Sequence, residues 1–523
     1  MANPRVAPFT FNELKSYLAC DKPSAGRQLG YINKYLTDLG TKTIVVEGNY
    51  IDRDFLDDYA NYYSRCFVPP ERECMRLHFF SQRFVQSDFE SIILGADDAE
   101  KLISSYIGFI VVRPLPVTKI GKTCLKTYPK EQDRFYPTIQ PYNVNLYGIK
   151  LTVESLAFQE QDKVAAACAT SALWMLFHRT ATIYKHKIPS PLEITRQATA
   201  RLPLGDRIFP STGLRREQMA EAIRDVGLEP FPNHADPRLF PIMLYAYLRG
   251  GTPALLHVID RKDQQRHVVL ASGYALSGKK PVPFPGSNIL YRATRMERLF
   301  VHDDQIGPFA RFHIRDAVPA TYQENGRRTK RKLPRITARW RANNNKLVGV
   351  DFIAETILLA LYHKIRIPFQ TAAGYVNALD GPMRPIARRF KVRCFEWDVH
   401  LTTVNDLKEE LRKDKFITKD QKSRLLFLEM PRFIWRAIAI SDGAPVCYIF
   451  LDATGIEQSD LAFCGAALNK EFCQLLSRPA IQRSVKGEPA ASILERLATA
   501  TSDDGVWVQP RVQPSAAGTM SRS

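Results

Sequence analysis

No two cysteines in this sequence are close enough to form a C-x-x-C pair, and no apolar run is long enough to cross a bilayer. The phosphate-binding P-loop, the dinucleotide fingerprint G-x-G-x-x-G and the zinc-protease motif H-E-x-x-H are all missing. Internal repeats and long low-complexity tracts are missing too. Each absence excludes something. The 9 cysteines are scattered and odd in number, so a disulfide framework is not expected and a reducing compartment is. Cys66, Cys74 and His78 have a metal-like spacing but lack a fourth ligand nearby, and buried free thiols are the simpler expectation. The most apolar stretch, 352–362, is short and contains Glu355; it reads as part of a strongly periodic helix over 350–363. The first residues carry no apolar h-region, so no secretory signal is expected and the protein is read as cytoplasmic, with no membrane partner.

Charge is plentiful. Among 523 residues, 73 are Lys or Arg and 54 Asp or Glu, a formal net charge of +19. Much of the excess is local: Arg327, Arg328, Lys330, Arg331, Lys332, Arg335, Arg339 and Arg341 follow one another with no acid between them. This run reads as a solvated linker over 326–345, or as a contact for nucleic acid or another acidic partner, with Trp340 available to stack.

The length calls for two to four units. Residues 1–144 read as a mixed α/β domain: Thr10 and Glu13 form a capping-box pattern, as do Ser87 and Glu90, and 106–112 is a buried strand. In 145–325, helices are expected over 164–178, 191–201, 215–226 and 237–249. Strands follow over 253–259, 266–274 and 298–302. After the linker, a third mixed α/β unit is expected over 346–482, with a helix at 407–413 and strands at 424–430, 437–441 and 446–451. A largely disordered tail, 483–523, rich in Ser, Ala and Pro near its end, closes the chain.

The middle segment carries the chemistry. Cys168 sits near the start of the small-residue helix VAAACATSALWMLFH at 164–178, where unpaired N–H groups stabilise a thiolate. Ala166, Ala167 and Ala169 leave room for a substrate backbone. His267 opens the strand RHVVLASGY and can present a ring nitrogen to a neighbouring thiol. Asp303, at the end of the next strand, can orient that imidazole. Gln161, seven residues before the cysteine, can join the Cys168 N–H in an oxyanion hole, with Gln159 as the fallback. His257 and His302 are rival histidines; His257 lies inside an apolar strand and His302 should face away from Asp303.

The order glutamine, cysteine-led helix, histidine-led strand, aspartate resembles the papain-like cysteine peptidase superfamily, in particular the branch related to bacterial double-glycine leader peptidases. The resemblance rests on Gly251-Thr-Pro253, on His267-Val followed by Gly273-Tyr274, and on Val301-His-Asp303, and covers the middle third of the chain. Ala169 stands where that branch often has glycine, and Asp304 where proline is common. The resemblance implies an α+β fold: a papain-like cysteine-hydrolase domain over 145–325, a helical half plus an antiparallel β half, flanked by two further mixed α/β domains. It also implies a multidomain bacterial thiol protease acting on a protein or peptide substrate through a Cys168 thioester, with His267 as base and Asp303 orienting it. That chemistry requires no metal or organic cofactor. The rival readings are a non-catalytic scaffold and a nucleic-acid-associated protein using Arg327, Arg328, Lys330, Arg331 and Lys332.

Overall fold

The computed structural model describes residues 4–20, 25–129, 131, 133–162, 167–200, 213–324, 327–342, 346–456, 461–484, 489–501 and 504–509. The chain divides into two compact units. The first comprises 1–279 and 295–363, the second 280–294 and 364–523. Among the described residues, no helix is long and apolar enough to cross a membrane.

The first unit opens with a five-stranded antiparallel sheet, β1 (Arg5–Pro8), β2 (Thr43–Tyr50), β3 (Cys74–Phe80), β4 (Tyr106–Val112) and β5 (Ile120–Leu125), paired in that order. Strand β4 is buried along its whole length, as its unbroken apolar run requires. Helices α1 (Phe11–Leu18), α2 (Ala25–Asp38), α3 (Arg53–Asn61), α4 (Gln86–Ile93) and α5 (Glu100–Ser105) lie between these strands in sequence. Thr10 caps α1 by accepting from the Glu13 amide at 3.1 Å, as the sequence indicates. The α4 helix starts at Gln86, with Asp88 rather than Glu90 bonding back to the chain at Val85. A short strand, β6 (Arg134–Phe135), precedes the hairpin β7 (Gln140–Leu146) and β8 (Ile149–Ser155).

Four helices follow, α6 (Cys168–Tyr184), α7 (Pro191–Thr199), α8 (Arg216–Asp225) and α9 (Phe240–Leu248), with strand β9 (Leu228–His234) after α8. Six further strands, β10 (Ala254–Asp260), β11 (Arg266–Leu276), β12 (Met296–Asp303), β13 (Gly307–Glu324), β14 (Arg327–Arg341) and β15 (Leu347–Tyr362), form consecutive antiparallel pairs. Strand β15 pairs back onto β10, which closes a six-stranded barrel. The long β15 serves three neighbours. Its first part pairs β14 and its middle pairs β10, while its last part pairs β9.

This barrel overturns the expected papain-like fold and its boundaries. A domain ending at 325 would cut the barrel in two, because its last two strands lie beyond that point. The expected linker 326–345 is mostly strand β14, and the expected helix over 350–363 is strand β15. Residues 352–361 of β15 are buried at every position, so the strand shows no alternation, and a short unbroken apolar run has no period that separates strand from helix. The N-terminal region is not a separate domain but part of the same compact unit as the barrel. The mixed α/β character itself stands.

The second unit is a five-stranded antiparallel sheet of β16 (Phe395–Thr403), β17 (Phe433–Ser441), β18 (Ala444–Asp452), β19 (Ala462–Ala467) and β20 (Val506–Val508). It includes helices α10 (Phe369–Arg389), α11 (Val404–Lys413) and α12 (Lys419–Phe427), and a core containing Leu407, Leu411, Leu425, Ile434 and Phe450. The strand expected at 424–430 is instead mostly the end of α12, whose start is set by a capping box between Thr418 and Gln421. The expected disordered tail contains the helix Pro489–Ala500 and the edge strand β20; residues 510–523 lie outside the described residues. Residues 280–294, inserted between β11 and β12, belong to this second unit, where the Leu290 carbonyl accepts from the Trp397 amide at 2.8 Å.

Candidate active site

Helix α6 is apolar on every face and buried along most of its length, so packing fixes it on all sides. Trp174 stacks edge-on against His178, with ring centroids 4.2 Å apart, and donates to the buried carboxylate of Asp54 on α3 at 3.2 Å. Arg179 donates to the carbonyls of Gly251, Ile139 and Pro137, tying the C-terminal half of α6 to the loop before β10. Gly251 has φ +82°, and a Cβ there would meet the Arg179 guanidinium at 2.7 Å. The glycine of the Gly-x-Pro motif is therefore required by both backbone and space.

Cys168 is the first residue of α6 and is half-buried. The first hydrogen bond of this end runs from the Ser171 amide to the Ala167 carbonyl, so the Cys168, Ala169 and Thr170 amides have no partner within the helix. They give this end a partial positive charge, and the sulfur is seated there.

His267 is the second residue of β11, opposite Val258 of β10, and is buried. Its Nε2 lies 3.2 Å from Asp303 Oδ1 and 3.2 Å from Asp304 Oδ1, both carboxylates also buried. The Cys168 thiol is also close enough to act on the imidazole. Burial by itself pushes the imidazole down. The two carboxylates and the thiol more than reverse this and hold it well above the ordinary histidine value.

Asp303 does two jobs. Its Oδ1 accepts from the Gln305 amide at 2.9 Å, forming the turn that ends β12, as well as from His267. The same oxygen thus serves the turn and meets the imidazole. Asp304, unassigned from the sequence, is an equal neighbour of the imidazole. The turn is held from outside by α2. Gln28 donates to the Asp304 carbonyl at 3.1 Å, and the Tyr31 hydroxyl donates to the Pro308 carbonyl at 2.7 Å. Gly307 has φ +149°, and a Cβ there would lie 2.6 Å from the Tyr31 ring. From β15, Phe352 packs against the His267 ring, with centroids 5.9 Å apart. Sequence reasoning missed Gln28, Tyr31 and Phe352 because nothing local links α2 or β15 to this turn.

Gln161 is half-buried and makes no hydrogen bond among the described residues. Gln159 is buried, and its Nε2 has no hydrogen-bond partner among the described residues. Neighbouring Phe158 stacks edge-on against His302, next to Asp303, with centroids 5.7 Å apart. Asp162 is buried and accepts from the Tyr63 hydroxyl, which ties the stretch before Cys168 to the N-terminal region.

The rival histidines are structural. His302 accepts from the Phe309 amide through Nδ1 and bonds the Leu156 carbonyl through Nε2, and burial lowers its pKa to about 3. His257 is buried, with its pKa lowered by burial to about 4. His78 bonds Tyr106 and Glu47, and no disulfide forms among the described cysteines. The donor atoms of His267, Asp303 and Asp304 lie within 4.8 Å of one another; among the described residues this is the group able to hold a cation. A cavity of about 940 Å³ is lined by Tyr17, Tyr63, Cys66, Cys74 and Arg113 among others, but by none of the residues around Cys168.

Of the basic residues, Lys330, Arg331 and Lys332 are exposed on β14, and Arg327 and Arg328 begin the same strand. Trp340 is not available to stack on a base: its Nε1 donates to the Arg27 carbonyl at 3.1 Å and its ring meets Tyr31 edge-on at 6.3 Å. No family model matches this chain, and neither a curated protein nor a solved structure is similar to it.

Proposed function

We propose that this protein is a cysteine-dependent acyl hydrolase that cleaves peptide or isopeptide bonds, with Cys168 as nucleophile, His267 as acid and base, and Asp303 and Asp304 orienting the imidazole. The observation that carries this reading is a chain of contacts from the half-buried thiol at a helix N-terminus, through the buried imidazole, to two buried carboxylates. The proposal rests on this constellation and not on a papain-like fold.

The imidazole takes the Cys168 proton. The thiolate attacks the substrate carbonyl carbon, forming the S–C bond and placing a negative charge on the oxygen. The Cys168 amide and a side-chain amide from Gln159 or Gln161 receive that charge. The imidazolium gives its proton to the leaving nitrogen as the C–N bond breaks, leaving a thioester. The now neutral imidazole takes a proton from water, whose oxygen attacks the thioester carbonyl. The S–C bond breaks, and the acid and the original pair are released.

The test is the alkylation of Cys168 by iodoacetamide at pH 6, followed for each cysteine by peptide mass spectrometry. Cys168 should react at least tenfold faster than half-buried Cys20, Cys66 and Cys394, and His267→Ala should remove the difference. A Cys168 as slow as those thiols, or indifferent to His267, would overturn the hydrolase reading.

A further inference from the structure

One imidazole nitrogen meets two carboxylates. His267 Nε2 lies 3.2 Å from Asp303 Oδ1 and 3.2 Å from Asp304 Oδ1, and a single N–H cannot align with both. All three residues are buried. The second oxygen of Asp303, Oδ2, is buried as well and accepts from no donor among the described residues. One ligand atom from each residue lies within 4.8 Å of the other two. Ligand atoms on a tetrahedral zinc ion, with bonds of about 2.0 Å, stand about 3.3 Å apart. The two nitrogen–oxygen separations match that edge. The surroundings fix the ligands as a metal's outer shell does. The Gln305 amide donates to Asp303 Oδ1 at 2.9 Å, and Gln28 pins the backbone of Asp304. Phe352 packs on the His267 ring and is itself stacked on Phe312, with centroids 5.7 Å apart.

We propose that His267, Asp303 and Asp304 form a zinc site, and that zinc bound there holds the hydrolase off. The ligand set selects the metal. Magnesium and calcium take oxygen ligands, whereas one imidazole nitrogen with two carboxylates suits zinc and leaves a fourth position open. The regulatory half rests on the hydrolase reading; the site itself does not. A neutral imidazole has a proton on one nitrogen and a lone pair on the other. Zinc forms a bond to Nε2 and one to each carboxylate, and the Nε2 proton leaves to solvent. The remaining ring proton sits on Nδ1, so no lone pair is left to take the proton of Cys168. Removing zinc returns Nε2 to the carboxylates and the lone pair to the thiol.

Zinc chloride titrated into the EDTA-stripped, full-length protein against a fluorescent zinc indicator provides the test. The unmodified chain should bind one zinc more than His267→Ala, and Asp304→Asn should weaken that zinc by about tenfold or more. Cys168→Ser should bind it within about threefold of the unmodified chain, because the thiol is not a ligand. Should His267→Ala not fold, X-ray absorption of the unmodified protein loaded with one zinc decides. Nitrogen and oxygen neighbours at about 2.0–2.1 Å, with imidazole scattering, are expected. Equal zinc in the unmodified chain and His267→Ala, loss of the zinc in Cys168→Ser, or a sulfur neighbour at about 2.3 Å would each overturn the site. Turnover of a fluorogenic peptide should fall by about tenfold or more with one zinc bound and return with EDTA. Turnover unchanged by bound zinc would overturn its regulatory role. Alkylation of Cys168 in EDTA tests the hydrolase separately. An unreactive Cys168 in a chain that still binds zinc through His267 would remove the regulation and leave the metal site standing.

Discussion

Replacing Asp304 with Asn should lower the titration midpoint of His267 by one to three units. Asp304 Oδ1 lies 3.2 Å from the imidazole Nε2, in a buried setting. At an effective dielectric constant of about 20, a pair of unit charges at that distance interacts by roughly 5 kcal/mol. One pKa unit corresponds to about 1.4 kcal/mol, so the full Coulomb energy would be worth nearly four units. The amide oxygen of Asn retains a hydrogen-bond acceptor, and Asp303 remains at 3.2 Å, so the smaller shift is expected. The measurement is a histidine NMR titration with Cys168 changed to Ser, which separates the carboxylates from the thiol. The same titration in Asp303→Asn should show a comparable fall, accompanied by loss of the Gln305 turn bond. A midpoint unmoved by Asp304→Asn would mean that the carboxylate does not act on the imidazole, and the two-aspartate arrangement would be refuted.

Gln159→Ala should slow turnover of a fluorogenic peptide by about 10²–10³, the usual cost of one oxyanion donor. Gln161→Ala should cost less than about tenfold, because the half-buried amide is less fixed; the reverse order would return the donor role to Gln161. The acid side of the stability profile of the first unit should be steep. His78, His257 and His302 are lowered to about 4, about 4 and about 3, and His178 well below its usual value, each chiefly by burial. On unfolding near pH 5 these histidines take up protons, while Asp58 and Asp54, both raised by burial, work in the opposite direction. Each proton taken up makes stability fall by about 1.4 kcal/mol per pH unit as pH drops between about 6 and 5. His267 has the opposite sign: its contribution is complete below the ordinary histidine value and is lost only as pH rises through its raised folded value. Denaturant unfolding at several pH values checks this, and a flat profile would contradict the neutral, buried state of the four histidines.

Helix starts and single strands were legible because their signals are local. Thr10 caps α1, the helix expected from 191 begins at Pro191 as α7, and the unbroken run 106–112 is strand β4. The order of Cys168, His267 and Asp303 in the sequence pointed to a reactive constellation, since the chemistry needs those residue types. The apolar residues of 350–363 read as a helical period, but both faces of β15 are buried over 352–361, where a short apolar run does not separate strand from helix. In β14 the alternation Ile336, Ala338, Trp340 was present, but eight basic residues masked it as a linker. In α12 the capping pair Thr418 and Gln421 was available and overlooked. Composition and local pattern therefore determined the chain's mixed α/β character, many element types and the candidate nucleophile. Only the tertiary structure decided that β15 closes a barrel with β10, that α2 grips the turn bearing two aspartates, and that Asp304 stands beside His267. Those arrangements join residues far apart in the chain through burial and packing, which no local spacing encodes.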